Sequence, residues 1–212
     1  MKNCVSACVT AAIVLAASAS HAQTVQAGVK VGVDFSSLPN AGEVIDQVVK
    51  ITSTETSSKA GVMLGGFVMF PITDRLAFQP ELAFVMKGVK LNEGNAGTVT
   101  AGLRYLEFPL LVRYSMAIDT HTGYLLAGPT FGVKASTSAQ LDGPGQTTDF
   151  NIDPAIRTFD AGLAFAGGIE YGRYLFEARY TQGLTDVGTD AYPHPDSLKN
   201  RAFAILAGIR LK

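Results

Sequence analysis

A two-residue alternation of apolar and polar side chains recurs along most of this chain, and it restricts the fold more than any other feature. Period two puts successive side chains on opposite faces of an extended strand. In the first segment Ala27, Val29, Val31, Val33 and Phe35 share one face, against Gly28, Lys30, Gly32 and Asp34. A second segment at 60–70 is weaker, because Gly65 and Gly66 interrupt it and Met63, Phe67 and Met69 make both faces apolar. The third sets Leu76, Phe78, Leu82, Phe84 and Met86 against Gln79, Glu81 and Lys87. In the fourth, Leu106, Phe108, Leu110, Val112 and Tyr114 oppose Tyr105, Glu107 and Arg113. Leu125, Ala127, Phe131 and Val133 define the fifth, against Gly128, Thr130, Gly132 and Lys134. The sixth opposes Phe159, Leu163, Phe165, Ile169 and Tyr171 to Asp160, Gly162, Gly168 and Glu170. The seventh opposes Tyr174, Phe176 and Tyr180 to Glu177 and Arg179, and the eighth opposes Phe203, Ile205 and Ile209 to Ala204, Gly208 and Arg210. The expected fold is all-β, an up-and-down closed antiparallel barrel of about eight strands.

The connections alternate in length. Only Pro71-Ile72-Thr73-Asp74, a stretch around 117–120, and Gly172-Arg173 separate some strands. Roughly 36–58, 89–101, 136–156 and 183–199 are instead long, polar and expected to be loops. Short turns at one end and long loops at the other are the habit of outer-membrane barrels. In the first long loop, Asn40 and Glu43 have the spacing of a helix cap, although the β-branched run at 48–54 suits extended chain equally.

The N-terminus carries a different signal. Lys2 precedes a small and apolar run at 5–19, and Ser20-His21-Ala22 has the small-x-small form of a signal-peptidase site. Cleavage between Ala22 and Gln23 would divide the chain into a leader, 1–22, and one barrel domain, 23–212. Cys4 and Cys8 both lie in the leader, so the mature chain would hold no disulfide or thiolate site. No later apolar run approaches the ~18 residues of a transmembrane helix, so a membrane position requires a closed barrel. Acidic residues, 18, slightly outnumber basic ones, 17, which argues against nucleic acid as a partner.

Alternation alone does not say which face points inward. A soluble barrel would bury its apolar face, but glycine contributes no packing to a strand exposed to water. Gly28, Gly32, Gly128, Gly132, Gly162, Gly168 and Gly208 all fall on the polar face, where a narrow eight-stranded lumen needs small residues. The charges there balance. Asp34, Glu81, Glu107, Asp160, Glu170 and Glu177 face Lys30, Lys87, Arg113, Lys134, Arg179 and Arg210. A confined interior needs such pairing, and Arg113 is expected to meet Glu107 or Glu177. Phe70, Tyr114, Tyr171 and Tyr174 gather at the short-turn end, where an interfacial aromatic girdle would lie. The polar face is therefore assigned to the lumen and the apolar face to outer-membrane lipid. A salt-bridged plug, rather than a conduit, is the expected lumen.

Several segments resemble the PorT-like outer-membrane β-barrel family of Gram-negative bacteria. They are Gly28-Val29-Lys30-Val31-Gly32-Val33-Asp34-Phe35, Gln79-Pro80-Glu81-Leu82 with Lys87-Gly88, and Tyr105-Leu106-Glu107-Phe108-Pro109-Leu110-Leu111. Tyr124-Leu125-Leu126-Ala127-Gly128-Pro129 and the stretch from Arg179-Tyr180 to Gly183-Leu184 extend the likeness. The resemblance implies an eight-stranded barrel of the outer membrane, inserted by the barrel-assembly machinery. The chain ends Leu211-Lys212 rather than in the aromatic residue common at the end of such barrels.

No enzymatic set is apparent. His121 falls in a short turn, and His194 lies near Asp196 and Ser197 in the last loop, without the base-and-orienter geometry that hydrolysis needs. Asp142, Asp149, Asp153, Asp186 and Asp190 match no calcium-loop spacing. No cofactor or metal is expected, and any specific role is assigned to the long loops, as interaction with a protein partner or a structural part, with an accessory subunit of a secretion or transport system as one alternative. A soluble periplasmic ligand-binding barrel is the other. Pro80, Pro109 and Pro129 fall inside strands, where each removes a ladder donor, and a β-bulge is expected at each.

Overall fold

The computed structural model describes residues 24–37, 55–92, 98–143, 146–150, 157–186 and 199–211. The expected signal peptide with Ala22 and Gln23, the expected cap at Asn40 and Glu43, and Asp153, Asp190, His194, Asp196 and Ser197 lie outside the described residues. Nine strands are described: β1 Gln26–Ser37, β2 Glu55–Pro71, β3 Leu76–Asn92, β4 Thr98–Ile118, β5 His121–Gly143, β6 Gln146–Phe150, β7 Phe159–Tyr171, β8 Tyr174–Gly183 and β9 Arg201–Leu211. Every pairing is antiparallel, and β1 pairs β9 from Ala27↔Leu211 to Ser37↔Arg201. That seam, with the β4–β5 ladder, closes eight strands into a barrel and leaves no sheet edge for lipid to desolvate. The ninth strand, β6, pairs β5 at 139–143, beyond the segment of β5 that pairs β7.

Both described chain ends and the three tight turns share one end of the barrel. Ile72 N and Thr73 N donate to Leu76 O, and Thr73 Oγ1 accepts from Leu76 N, which folds the β2–β3 turn without a long loop. Asp119 and Gly172 supply the positive φ of the β4–β5 and β7–β8 turns.

At the opposite end the strands differ greatly in reach. β8 has 10 residues, near the 9–11 that cross a bilayer, whereas β4 has 21 and β5 has 23. Much of 89–101 and 136–156, expected to be loop, is therefore strand: β3 runs on to Asn92, β4 starts at Thr98, and β5 and β6 reach Phe150. Beyond the bilayer both faces of a strand meet water, so pairing continues there without the apolar-polar contrast that marks the membrane part.

The three prolines are also accommodated differently from the expected bulges. Pro80 pairs Leu110, Pro109 pairs Thr130 and Pro129 pairs Leu163, and register is unbroken through each. On the side of the preceding strand each proline faces a two-residue gap in an otherwise constant ladder, where its missing N–H would have donated. Register shifts occur instead at Ser58/Met63 and Arg104/Tyr105.

Burial alternates with the pleat, and it is inside out relative to a soluble protein. Val31 is 51%, Phe165 50% and Phe176 57% exposed on the outer face, while Glu177 and Arg179 are 3% exposed within. The lumen also holds apolar side chains: Phe67, Met69, Ala77 and Leu175 form one cluster, and Leu111, Tyr124, Leu126, Ala164 and Ala166 another. Small residues make room for large ones. A Cβ on Gly168 would fall 2.3 Å from Tyr124 Cζ, and one on Gly28 would fall 2.3 Å from Phe67 Cζ.

Candidate functional site

The lumen concentrates the polar chemistry of this chain, in three layers along the barrel axis. The central layer comes from β1, β3 and β8. Lys30 lies opposite Gly65 on one neighbour and Gly208 on the other, which leaves its long side chain free to reach across the barrel. Its Nζ sits 2.9 Å from Glu81 Oε1 and 2.7 Å from Glu177 Oε2. Arg179 contacts the same two carboxylates, Glu81 at 2.9 Å and Glu177 through both Nε and Nη2. The four charges form a closed, alternating ring. Gln79 Nε2 donates to Glu81 at 2.7 Å, and Tyr124 OH donates to Glu177 at 3.1 Å. With each carboxylate held by several donors, the desolvation of four buried charges is offset by pairing.

The layer below lies at the short-turn end. Arg113 is 2% exposed, stacks over the Tyr124 ring at 3.9 Å and reaches Glu170 at 2.9 Å. The expected partners, Glu107 and Glu177, are not the ones it meets. Glu107 is six residues along the same strand, roughly 20 Å away at about 3.3 Å per residue, and Glu177 belongs to the central ring. Arg210 takes the other oxygen of Glu170 at 3.1 Å and donates to Gly172 O. A cavity of about 400 Å³ opens here, lined by Arg75, Arg113, Thr122, Glu170 and Arg210.

The upper layer faces the long connections. Lys87 pairs with Glu107 and lies over the Tyr105 ring at 5.2 Å. Asp34 and Asp160 are buried in the same layer, where both act on the charge of Lys87. Asp160 accepts from Thr185 Oγ1 at 2.8 Å and from Asn200 Nδ2 at 3.5 Å. Lys134 is only half-buried.

Of the twelve charges assigned from sequence, the structure buries Lys30, Asp34, Glu81, Lys87, Glu107, Arg113, Asp160, Glu170, Glu177 and Arg179, and leaves Lys134 and Arg210 nearer the barrel ends. Phe70, Tyr114, Tyr171 and Tyr174 are exposed at the short-turn end, with His121 packed on Tyr171 at 4.8 Å. Sequence reasoning did not single out Gln79, Tyr124, Thr130, Thr185 or Asn200 as site residues. Inward parity on β3 and β5 marks the first three, whereas Thr185 and Asn200 flank strands and carry no such signal.

Comparison with known proteins places this geometry. The chain matches the family described as outer membrane protein beta-barrel domain over residues 18–188. Curated proteins give no match. Among solved structures, the attachment invasion locus protein Ail of Yersinia pestis is 14% identical, with 88% of this chain and 98% of that one covered and a TM-score of 0.45. Neisserial surface protein A is 13% identical, covering 89% and 96%, with a TM-score of 0.48. The outer membrane enzyme PagL is 13% identical, covering 86% and 98%, with a TM-score of 0.49.

Proposed function

The chain belongs to the outer membrane protein beta-barrel domain family and resides in the outer membrane of a Gram-negative bacterium, and from that premise we propose that it is a non-enzymatic, non-conducting barrel that presents a one-sided extracellular wall to a protein partner. The closed ring of Lys30, Glu81, Arg179 and Glu177 carries the reading. Those charges are spent on one another at the barrel's waist, in an eight-stranded lumen just wide enough for side chains to fill. The strands that rise beyond the bilayer, β4 and β5 with β6 beside them, then offer the surface on which a specific contact can be built. Within the family, the motifs at 28–35 and 105–111 suit a PorT-like barrel, for which the partner would be a component of an export apparatus.

Cross-linking on intact cells tests this. The parent is compared with a variant whose β4–β5 strands above Leu103 and Thr137 are removed and whose β4 and β5 ends are rejoined to their neighbours by short loops. The account expects a cross-linked partner with the parent only, while both barrels insert into the outer membrane. A partner retained by the shortened barrel contradicts the wall as the contact, and stable porin-sized currents in planar bilayers contradict the sealed lumen.

A further inference from the structure

The upper layer of the lumen holds three of the five buried side-chain oxygens that make no hydrogen bond among the described residues. Lys87, Glu107, Thr130, Asp160 and Asn200 surround an internal cavity of about 10 Å³, the room of a single water-sized particle. Thr130 and Asn200 are each 5% exposed, and Thr130 Oγ1 and Asn200 Oδ1 are buried there without a hydrogen-bond partner. Asp34 Oδ1, in the same layer, is a third such atom. An unsatisfied buried acceptor is rare in folded proteins, and two of them lining one small cavity point to a ligand there.

The charges say which kind. Asp34, Glu107 and Asp160 are three carboxylates, while Lys87 and the half-buried Lys134 are two ammonium groups, even if Lys134 is counted in full. The layer carries surplus negative charge in a confined space, where such charge is expensive to leave uncompensated. A water molecule would satisfy some of the lone pairs but not the charge. A cation does both.

We propose that this cavity is a site for one dehydrated monovalent cation of sodium size, ligated by Thr130 Oγ1, Asn200 Oδ1 and the carboxylates of Glu107 and Asp160. Calcium takes six to eight oxygens, and magnesium keeps several of its waters, so neither suits four residues around so small a space. The ion would join β4, β5 and the start of β7 to Asn200 at the foot of the last long connection. Gly183 N already donates to Asn200 O at that foot. Occupancy therefore fastens the base of the 183–199 connection to the lumen.

The test uses the whole mature barrel, refolded in detergent and melted in sodium chloride or tetramethylammonium chloride at matched ionic strength. Tetramethylammonium is far too large for the cavity. The expected result is a melting temperature that rises by several degrees with sodium and saturates, as binding to the folded state alone requires. Thr130→Val should abolish the sodium-specific part, and Asn200→Asp, which adds a carboxylate, should shift saturation to lower sodium. Equal melting of the parent in the two salts at every concentration overturns the proposal and leaves a single buried water. A sodium response unchanged in both variants overturns this location.

Discussion

The central ring and the layer at the short-turn end use the same chemistry in different surroundings. Both pair arginine with glutamate inside the lumen, Arg179 with Glu81 and Glu177, Arg210 with Glu170. The side chain of Arg179 is 3% exposed, and each carboxylate it contacts is no more so. That of Arg210 is 32% exposed beside a cavity of about 400 Å³. Where water can enter, a lost partner is replaced by solvent, so the pair contributes little. Where it cannot, a lost partner leaves a bare charge. Access to water, more than the number of ion pairs, therefore decides which charges hold this barrel together.

The sharpest way to break the comparison is to remove the central guanidinium. Arg179→Leu should destabilise the folded barrel by about 3–5 kcal/mol, because it leaves Lys30 alone against two buried carboxylates. Folding into lipid vesicles, followed by urea titration, measures it. Restoring neutrality with Glu81→Gln in the same chain should recover a large part of that loss. A cost of Arg179→Leu below about 1 kcal/mol would mean that water reaches the ring.

Next in size is a substitution on the other face of the wall. Leu110 is outward on β4, midway between Leu106 and Tyr114, and Leu110→Arg should cost ~2–4 kcal/mol in the same vesicle assay. Unimpaired folding would mean that this face does not meet lipid.

Smallest is Arg210→Leu, expected to cost under about 1 kcal/mol and to matter less as salt rises, since solvent screens the mouth. Arg179→Leu should respond to salt far less. An Arg210→Leu variant as damaged as Arg179→Leu would erase the distinction between the layers.

How much of this could be seen in the sequence follows the same physics. Strands were legible where lipid and lumen impose opposite demands on alternate residues, as at 105–114 or 203–211. Above the bilayer both faces meet water, the alternation fades, and the outer parts of β3, β4 and β5 looked like loops. Parity placed Arg113 inside, but its partner depends on height along the axis as well as face, and Glu170 on β7 could not be chosen from spacing. The prolines pointed to bulges because sequence shows a missing donor without showing that a gap in one ladder absorbs it. Asn200 and Thr185 lie just outside strands, where no period assigns a direction.

The central claim is that polar parity faces the lumen and apolar parity faces lipid. Residues 23–212 contain no cysteine, so in that segment single cysteines at 105–114, each carrying a nitroxide label, report the two faces directly in lipid vesicles. The account expects oxygen dissolved in the bilayer to relax labels at Leu106, Phe108, Leu110 and Val112 strongly. Labels at Glu107, Leu111 and Arg113 should be shielded, giving a period of two. The opposite parity, with Glu107 and Arg113 the oxygen-accessible positions, or no period at all, would contradict it.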